Sequence, residues 1–182
     1  DTVVELANEG TDLVQSSVNF TLGDNVEKLT LTGTGAIDGT GNSLSNTLTG
    51  NSAANVLAGG AGHDTYVVGT GDTVVELANE GTDLVQSSVN FTLGDNVEKL
   101  TLTGTGAIDG TGNSLSNTLT GNSAANVLTG ATGNDTMVGG LGNDTYLVDR
   151  GEGQDTIVEN DGTVGNSDSL LYGATINPLD LV

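Results

Sequence analysis

Apolar residues recur every nine positions through much of the chain, and small or polar residues lie between them. Within residues 41–67, the eighth position of each nonapeptide is apolar: Leu48, Leu57 and Tyr66. The sixth position of the same rows is polar: Asn46, Asn55 and Asp64. A period of nine does not fit the 3.6-residue turn of a helix. It predicts a glycine-rich turn followed by a short strand.

The same pattern returns in residues 112–147, where the sixth position holds Asn117, Asn126, Asp135 and Asp144. The eighth position there holds Leu119, Leu128, Met137 and Tyr146. Two turn–strand segments close one coil of 18 residues, and successive coils stack as parallel strands. Residues 18 apart should therefore lie against each other. This places Asn46 beside Asp64, Asn117 beside Asp135, and Asn126 beside Asp144.

A longer repeat contains the nonapeptides. Residues 1–57 recur without a substitution as residues 72–128, and residues 130–138 look like one inserted nonapeptide. We therefore divide the chain into repeat unit 1 (1–71), repeat unit 2 (72–142), and a closing repeat with a C-terminal strand segment (143–182). A second identical copy adds length and cation sites rather than new chemistry.

The part of each repeat outside the nonapeptides is less regular. Alternating and β-branched residues predict strands at Thr2–Glu5, Asp12–Val18, Phe20–Leu22 and Val26–Thr32. Ile37 is expected to point inward from a further short strand. We expect the solenoid to continue through these segments without calcium. The alternative is a small β-sandwich between two rolls.

Charge and composition narrow the possible functions. The chain of 182 residues has 24 Asp and Glu against 3 Lys and Arg, a net charge of −21, and no Cys. A basic nucleic-acid binder, a disulfide scaffold and a cysteine-based site are excluded, and no apolar run is long enough to span a membrane. Low hydrophobicity with such a charge usually means disorder. The regular apolar spacing instead indicates a chain that needs cations to fold.

The ligands that the glycine-rich turns offer indicate which cation binds. Calcium takes six to eight oxygen ligands from carboxylates and backbone carbonyls, and a glycine-rich turn leaves carbonyls free to point at an ion. One turn cannot complete such a site, so binding is coupled to coil stacking. The asparagine rows favour a ladder of stacked amides without an ion. Asp72 is a doubtful ligand, because it follows Asp64 by eight positions rather than nine.

Two rows resemble the RTX, or haemolysin-type calcium-binding, nonapeptide GGxGxDxUx, in which U is a large apolar residue: residues 59–67 (GGAGHDTYV) and 139–147 (GGLGNDTYL). Residues 144–157 are similar to the closing repeats of such arrays, and residues 168–181 resemble a segment that follows them. The resemblance implies a parallel β-roll, calcium between turns, and one-step export to the outside of the cell. The expected fold is therefore an all-β, right-handed parallel β-roll or β-solenoid.

The turn chemistry and the resemblance together predict a set of calcium ligands: Gly60, Gly62, Asp64, Gly133, Asn134, Asp135, Gly140, Gly142, Asn143, Asp144, Glu152, Gly153 and Asp155. The single histidine, His63, is expected to be an exposed turn residue rather than a catalytic base. No catalytic residues and no enzyme activity are predicted.

The functional hypothesis is a secreted or cell-surface structural and adhesive repeat region that becomes a rigid roll when calcium binds. Its expected partners are calcium ions and, further, end-to-end copies of itself or a glycan or surface ligand, with no nucleic acid and no membrane span. One alternative is the C-terminal export and folding module of a secreted hydrolase. The other is a carbohydrate-binding module of a polysaccharide-modifying enzyme.

Overall fold

A computed structural model of the chain describes residues 3–7 and 9–173, and every regular element in these residues is a β-strand. No described segment forms a helix that is long and apolar enough to cross a bilayer. The chain forms two compact units, one of residues 1–86 with 94–97 and one of residues 87–93 with 98–182. Each unit contains complete nonapeptide rows.

The first unit is a parallel β-solenoid with two sheets. One sheet contains β1 (Leu13–Ser16), β3 (Lys28–Leu31), β5 (Thr47–Thr49) and β7 (Thr65–Val68), followed by β9 (Leu84–Ser87), whose last residue belongs to the second unit. The other sheet contains β2 (Phe20–Thr21), β4 (Gly39–Thr40), β6 (Val56–Ala58) and β8 (Thr73–Val75). Successive strands of the chain thus alternate between the two sheets.

The second unit repeats this arrangement. One sheet contains β10 (Phe91–Thr92), β12 (Gly110–Thr111), β14 (Val127–Thr129), β16 (Thr145–Val148) and β18 (Ser169–Tyr172). The other contains β11 (Lys99–Leu102), β13 (Thr118–Thr120), β15 (Thr136–Val138) and β17 (Thr156–Val158). The strand pairs within each unit are parallel, which confirms the solenoid and excludes the β-sandwich alternative for the described residues.

The predicted 18-residue register is confirmed in the nonapeptide rows. Leu48 pairs with Tyr66 in the first unit, and Leu119 with Met137 in the second. The eighth-position side chains of these rows form the core and are almost completely buried, while their strand neighbours are partly exposed. Each row contributes one large apolar side chain, so the hydrophobic core is a narrow file inside the coil.

One predicted strand is wrong in the first copy of the repeat. Val3–Glu5 is not a strand, and Thr2 lies outside the described residues. The identical sequence in the second copy does form β8, because Thr73 pairs with Val56 of the preceding coil. No strand of the described residues precedes Val3 to provide such a neighbour. The other predicted strands are present but shorter than expected.

The inward strand position predicted for Ile37 is also wrong. It is only half-buried and lies outside the strand, which begins at Gly39. Gly39 takes the inward column instead and pairs with Leu57. A Cβ on Gly39 would lie 2.9 Å from Leu29 Cδ2, so a leucine from β3 in the other sheet already fills the space of an inward side chain. The core at this coil is built around a glycine.

A core only one side chain wide should be sensitive to a cavity. Leu119→Ala should lower the free energy of unfolding by about 2–5 kcal/mol, because it removes a fully buried member of the file and leaves a void. Leu141→Ala, at an exposed turn position, should change it by no more than about 0.5 kcal/mol. Denaturant unfolding in calcium-containing buffer measures both. Equal effects would show that position 119 does not face the interior.

Candidate metal centre

The sixth-position aspartates carry one anchored and one unpartnered oxygen. Asp64 is 1 % exposed, and its Oδ1 accepts a hydrogen bond of 2.6 Å from the amide of Asn46 in the preceding coil. The amide of Asp64 in turn donates to Asp83 Oδ1 at 2.7 Å in the following coil. The buried Oδ2 of Asp64 has no hydrogen-bond partner. Backbone contacts therefore fix the carboxylate while leaving one oxygen free to bind a ligand.

The second unit contains two aspartates with the same arrangement. Asp135 Oδ1 accepts the amide of Asn117 at 2.7 Å, and Asp144 Oδ1 accepts the amide of Asn126 at 2.8 Å. The Oδ2 atoms of both aspartates are buried and unpartnered. The predicted neighbours 18 residues apart are thus in direct contact. Three of the four aspartates predicted as ligands therefore share one geometry.

The predicted glycine ligands all adopt positive φ and form the turns that precede the aspartates: Gly60, Gly62, Gly133, Gly140, Gly142 and Gly153. At Gly62, with φ of 132°, a Cβ would lie 2.5 Å from the carbonyl oxygen of Leu44 in the preceding coil. Glycine is required there for both reasons, since any side chain would separate the two turns. The close approach stacks turn on turn.

The sixth-position asparagine side chains bind backbone groups of their own turn and of the preceding coil, rather than amides stacked from coil to coil. Asn46 Oδ1 accepts the amide of Asn42 at 2.7 Å, and its Nδ2 donates to Val26 O at 3.2 Å. Both ends of the side chain are therefore occupied by protein groups. Asp72 is occupied in the same way, because its two oxygens accept the amides of Asn55 and Gly69. These positions stabilise the stack without offering an unpartnered oxygen.

Other predicted ligands lie at the turn surface. Asn134 Oδ1 accepts the amide of Gln154 at 2.8 Å, and the exposed Asn143 side chain makes the equivalent contact with the next turn. Glu152 Oε2 accepts the amide of Asp149 at 2.5 Å. Asp155 Oδ1 accepts the amide of Asp135, which places Asp155 in the aspartate stack. The structure thus brings Asp135 and Asp155 together and uses the side chains of Asn134, Asn143 and Glu152 in turn contacts.

Two acidic groups include residues that the sequence analysis did not select. Asp64, Glu76 and Asp83 have ligand atoms within 4.8 Å of one another, and all three are buried. In the second unit, Asp144, Glu159 and Asp168 form the equivalent group. The missed glutamates lie outside the nine-residue frame. The available signal was the alternation of Val74, Val75 and Glu76, which turns Glu76 inward with Val74.

A tyrosine hydroxyl lies beside each group. Tyr66 Oη donates to Glu76 Oε1 and accepts the amide of Gly59 at 2.6 Å. Tyr146 Oη donates to Glu159 Oε1 in the second unit. The eighth-position tyrosine therefore does more than fill the core, because its hydroxyl orients a carboxylate from the opposite side of the coil.

Burial and repulsion between neighbouring carboxylates raise the pKa values of these acidic side chains. Burial raises the pKa of Asp64 to about 6, and the negative charge of Asp83 adds to the increase. Burial also raises the pKa of Glu76 to about 7, against the opposing hydrogen bond from Tyr66. The pKa values of Asp135, Asp144 and Glu159 are raised as well, each mainly by burial. A bound cation would remove the cost that these shifts reflect.

The donor set fits a hard divalent cation. Each group offers carboxylate oxygens and no sulfur or imidazole, which is the ligand chemistry of calcium. The buried, unpartnered Oδ2 atoms of Asp64, Asp135 and Asp144 provide the free oxygens that such an ion needs. The residues present therefore fit calcium.

Comparison with known families identifies the same segments. Residues 40–75 and 111–146 match the model of the RTX calcium-binding nonapeptide repeat (4 copies). Comparisons with curated proteins and with solved structures find no match. The matched residues contain Asp64, Asp135 and Asp144, and the first range ends one residue before Glu76.

The raised pKa values predict the pH dependence of the metal-free chain. Between the unfolded pKa of an aspartate or glutamate, about 4, and the folded values of about 6 and 7, the folded state binds more protons. Stability should therefore fall as pH rises from 5 to 7.5 in the presence of a chelator. Circular dichroism and denaturant unfolding measure this slope.

The matched variants are Asp64→Asn, which should flatten the slope, and Asp95→Asn at an exposed turn, which should leave it unchanged. Calcium should reverse the trend, because the ion competes with protons for the same oxygens. A metal-free chain that gains stability between pH 5 and 7.5 would contradict the assignment of Asp64 and Glu76 as buried, repelling acids.

Proposed function

Because residues 40–75 and 111–146 carry RTX calcium-binding nonapeptide repeats, we propose that this chain is a calcium-dependent structural and adhesive repeat region of a secreted protein. It folds outside the cell, where calcium binds between stacked turns. The observation that carries the proposal is the unpartnered, buried Oδ2 of Asp64, Asp135 and Asp144, each located where one coil meets the next.

The hydrogen bonds couple the ion to the fold. Asp64 accepts a hydrogen bond from the coil before it and donates one to Asp83 in the coil after it, so the carboxylates of Asp64 and Asp83 come together only when their two coils are stacked. An ion held by this pair binds the folded state and not the open chain. Its binding free energy therefore adds to the stability of the stack.

The net charge of −21 supports a switch between two environments. In a cell interior, where calcium is scarce, the carboxylates repel and the chain stays open enough for export. Outside the cell, millimolar calcium neutralises the turns and the coils stack. The identical 71-residue copies support an extending, non-catalytic role, because repetition lengthens the solenoid and multiplies its cation sites.

Calcium titration of the chelated chain tests this function. Far-ultraviolet circular dichroism at pH 7.5 should change from coil to β-structure as calcium is added. Magnesium at matched concentration should substitute poorly, because its small octahedral shell does not suit a flexible site of several carbonyls and carboxylates. Equal folding by magnesium, or a β-signal that ignores calcium, would refute the proposal.

Substitution of Asp64, Asp135 and Asp144 tests whether these residues make folding depend on calcium. The triple variant Asp64→Asn, Asp135→Asn, Asp144→Asn should raise the calcium concentration at the folding midpoint at least about tenfold, because each change removes a charged ligand. The double variant Asp24→Asn, Asp95→Asn removes charge from exposed turn positions and should leave the midpoint nearly unchanged. A shift per removed charge in the double variant as large as that in the triple variant would mean that total charge, rather than these sites, controls folding.

A further inference from the structure

We propose that the solenoid contains two interior cation centres that the nonapeptide pattern does not describe, each with a glutamate ligand oriented by a tyrosine: Asp64, Glu76 and Asp83, and Asp144, Glu159 and Asp168. The proposal rests on the calcium-binding function above and extends it to residues outside the glycine-rich turns. The ligand is a hard divalent cation of the calcium class.

The first centre carries the argument because it is buried. Glu76 is 5 % exposed, and its Oε2 has no partner, while its Oε1 is held by Tyr66. Asp64 contributes a second unpartnered oxygen, and a carboxylate oxygen of Asp83 lies within 4.8 Å of both. Buried carboxylates without a counter-charge destabilise the folded state. A cation at this point satisfies the free oxygens together.

Tyr66 holds the Glu76 carboxylate in one orientation. Tyr66 Oη accepts a hydrogen bond from the amide of Gly59 and donates one to Glu76. The hydroxyl therefore has a fixed position, and it in turn fixes Oε1 of Glu76. Oε2 is then left for a ligand. Tyr66 is a positioning residue in this scheme, because it acts on the ion through Glu76.

The row of Asp135 provides an internal comparison. Its eighth position is Met137, which has no hydroxyl, and Val148 occupies the place that corresponds to Glu76 and Glu159. Among the described residues, no group of three carboxylates forms around Asp135. Tyrosine and glutamate thus occur together in two rows and are absent together in the third. This pairing distinguishes the interior centres from a turn site built on aspartates and carbonyls.

The second centre shows the same pattern in a more open setting. Asp144 is buried with an unpartnered Oδ2, whereas Glu159 and Asp168 are exposed. Tyr146 binds Glu159 as Tyr66 binds Glu76. The spacing differs, with Glu159 fifteen residues after Asp144 and Glu76 twelve after Asp64, yet both glutamates reach the same place beside the tyrosine. The arrangement therefore tolerates different loop lengths.

Calcium calorimetry on the full chain tests the proposal with Glu76→Gln, Glu159→Gln and the double variant, and Glu9→Gln at an exposed position is the matched control. The double variant should bind at two sites at least about tenfold more weakly, because each site loses a charged ligand. The site at Asp135 should be unaffected, and Asp135→Asn should leave the two interior sites in place. Wild-type affinity and stoichiometry in the double variant would overturn the proposal.

Unfolding in two conditions separates a ligand from a structural hydrogen-bond partner. In chelator, Glu76→Gln should raise the pH at which the β-signal is lost, because it removes a buried repelling charge. In calcium at pH 7.5, it should lower the thermal unfolding midpoint relative to the wild type, because it removes a ligand. A Glu76 that serves only as the partner of Tyr66 would give a lower pH of β-signal loss and a lower thermal midpoint, and this result would refute the proposal.

Tyr66→Phe tests the positioning role. It should weaken calcium binding at one site in calorimetry while keeping the β-signal in calcium, and unchanged affinity would refute that role. The calcium response of the wild-type chain separates failure of the proposed function from failure of the interior centres. If the wild-type chain neither binds calcium nor folds with it, the proposed function fails. If it does both and the glutamate variants match it, only the interior centres fail.

Discussion

The carboxylate of Asp64, with one oxygen bound to the chain and the other unpartnered, is the constraint on which the rest of the structure depends. The backbone amide of the preceding coil holds Oδ1, so the side chain cannot turn away from the interior. Its Oδ2 is left buried without a partner. Such a group is tolerable when protonated or when a cation is present. Stacking of the coils therefore depends on the ionic conditions.

The thin hydrophobic core makes this dependence strong. Each nonapeptide row buries one large apolar side chain, such as Leu48 or Leu119, and the neighbouring inward position is an asparagine or an aspartate. The asparagine side chains are satisfied by backbone groups, as Asn46 is. The aspartates Asp64, Asp135 and Asp144 each leave one oxygen without a partner. The stability of the stack is thus shared between a file of apolar residues, the hydrogen bonds of the asparagines and the charge state of the buried carboxylates.

Much of the architecture was predictable because the repeat and the coil have commensurate lengths. Two rows of nine close one coil, so the pairs Asn46–Asp64 and Asn117–Asp135 followed directly from their separation, and the structure confirms them. The same reasoning failed where neighbours decide the outcome. The residues that form β8 in the second copy form no strand at Val3–Glu5, because a parallel strand requires a paired neighbour. An identical local sequence therefore has two conformations in one chain.

By itself, the sequence determined the period, the inward columns, the glycine turns and the aspartates that face them. These features depend on spacing and residue type, which can be counted. Only the tertiary structure showed that Glu76 and Asp83 join Asp64, and that Tyr66 orients the glutamate. These residues come from three successive strands and the irregular loops between them, so their distances along the chain do not predict their contact. Stacking the coils brings their carboxylates together.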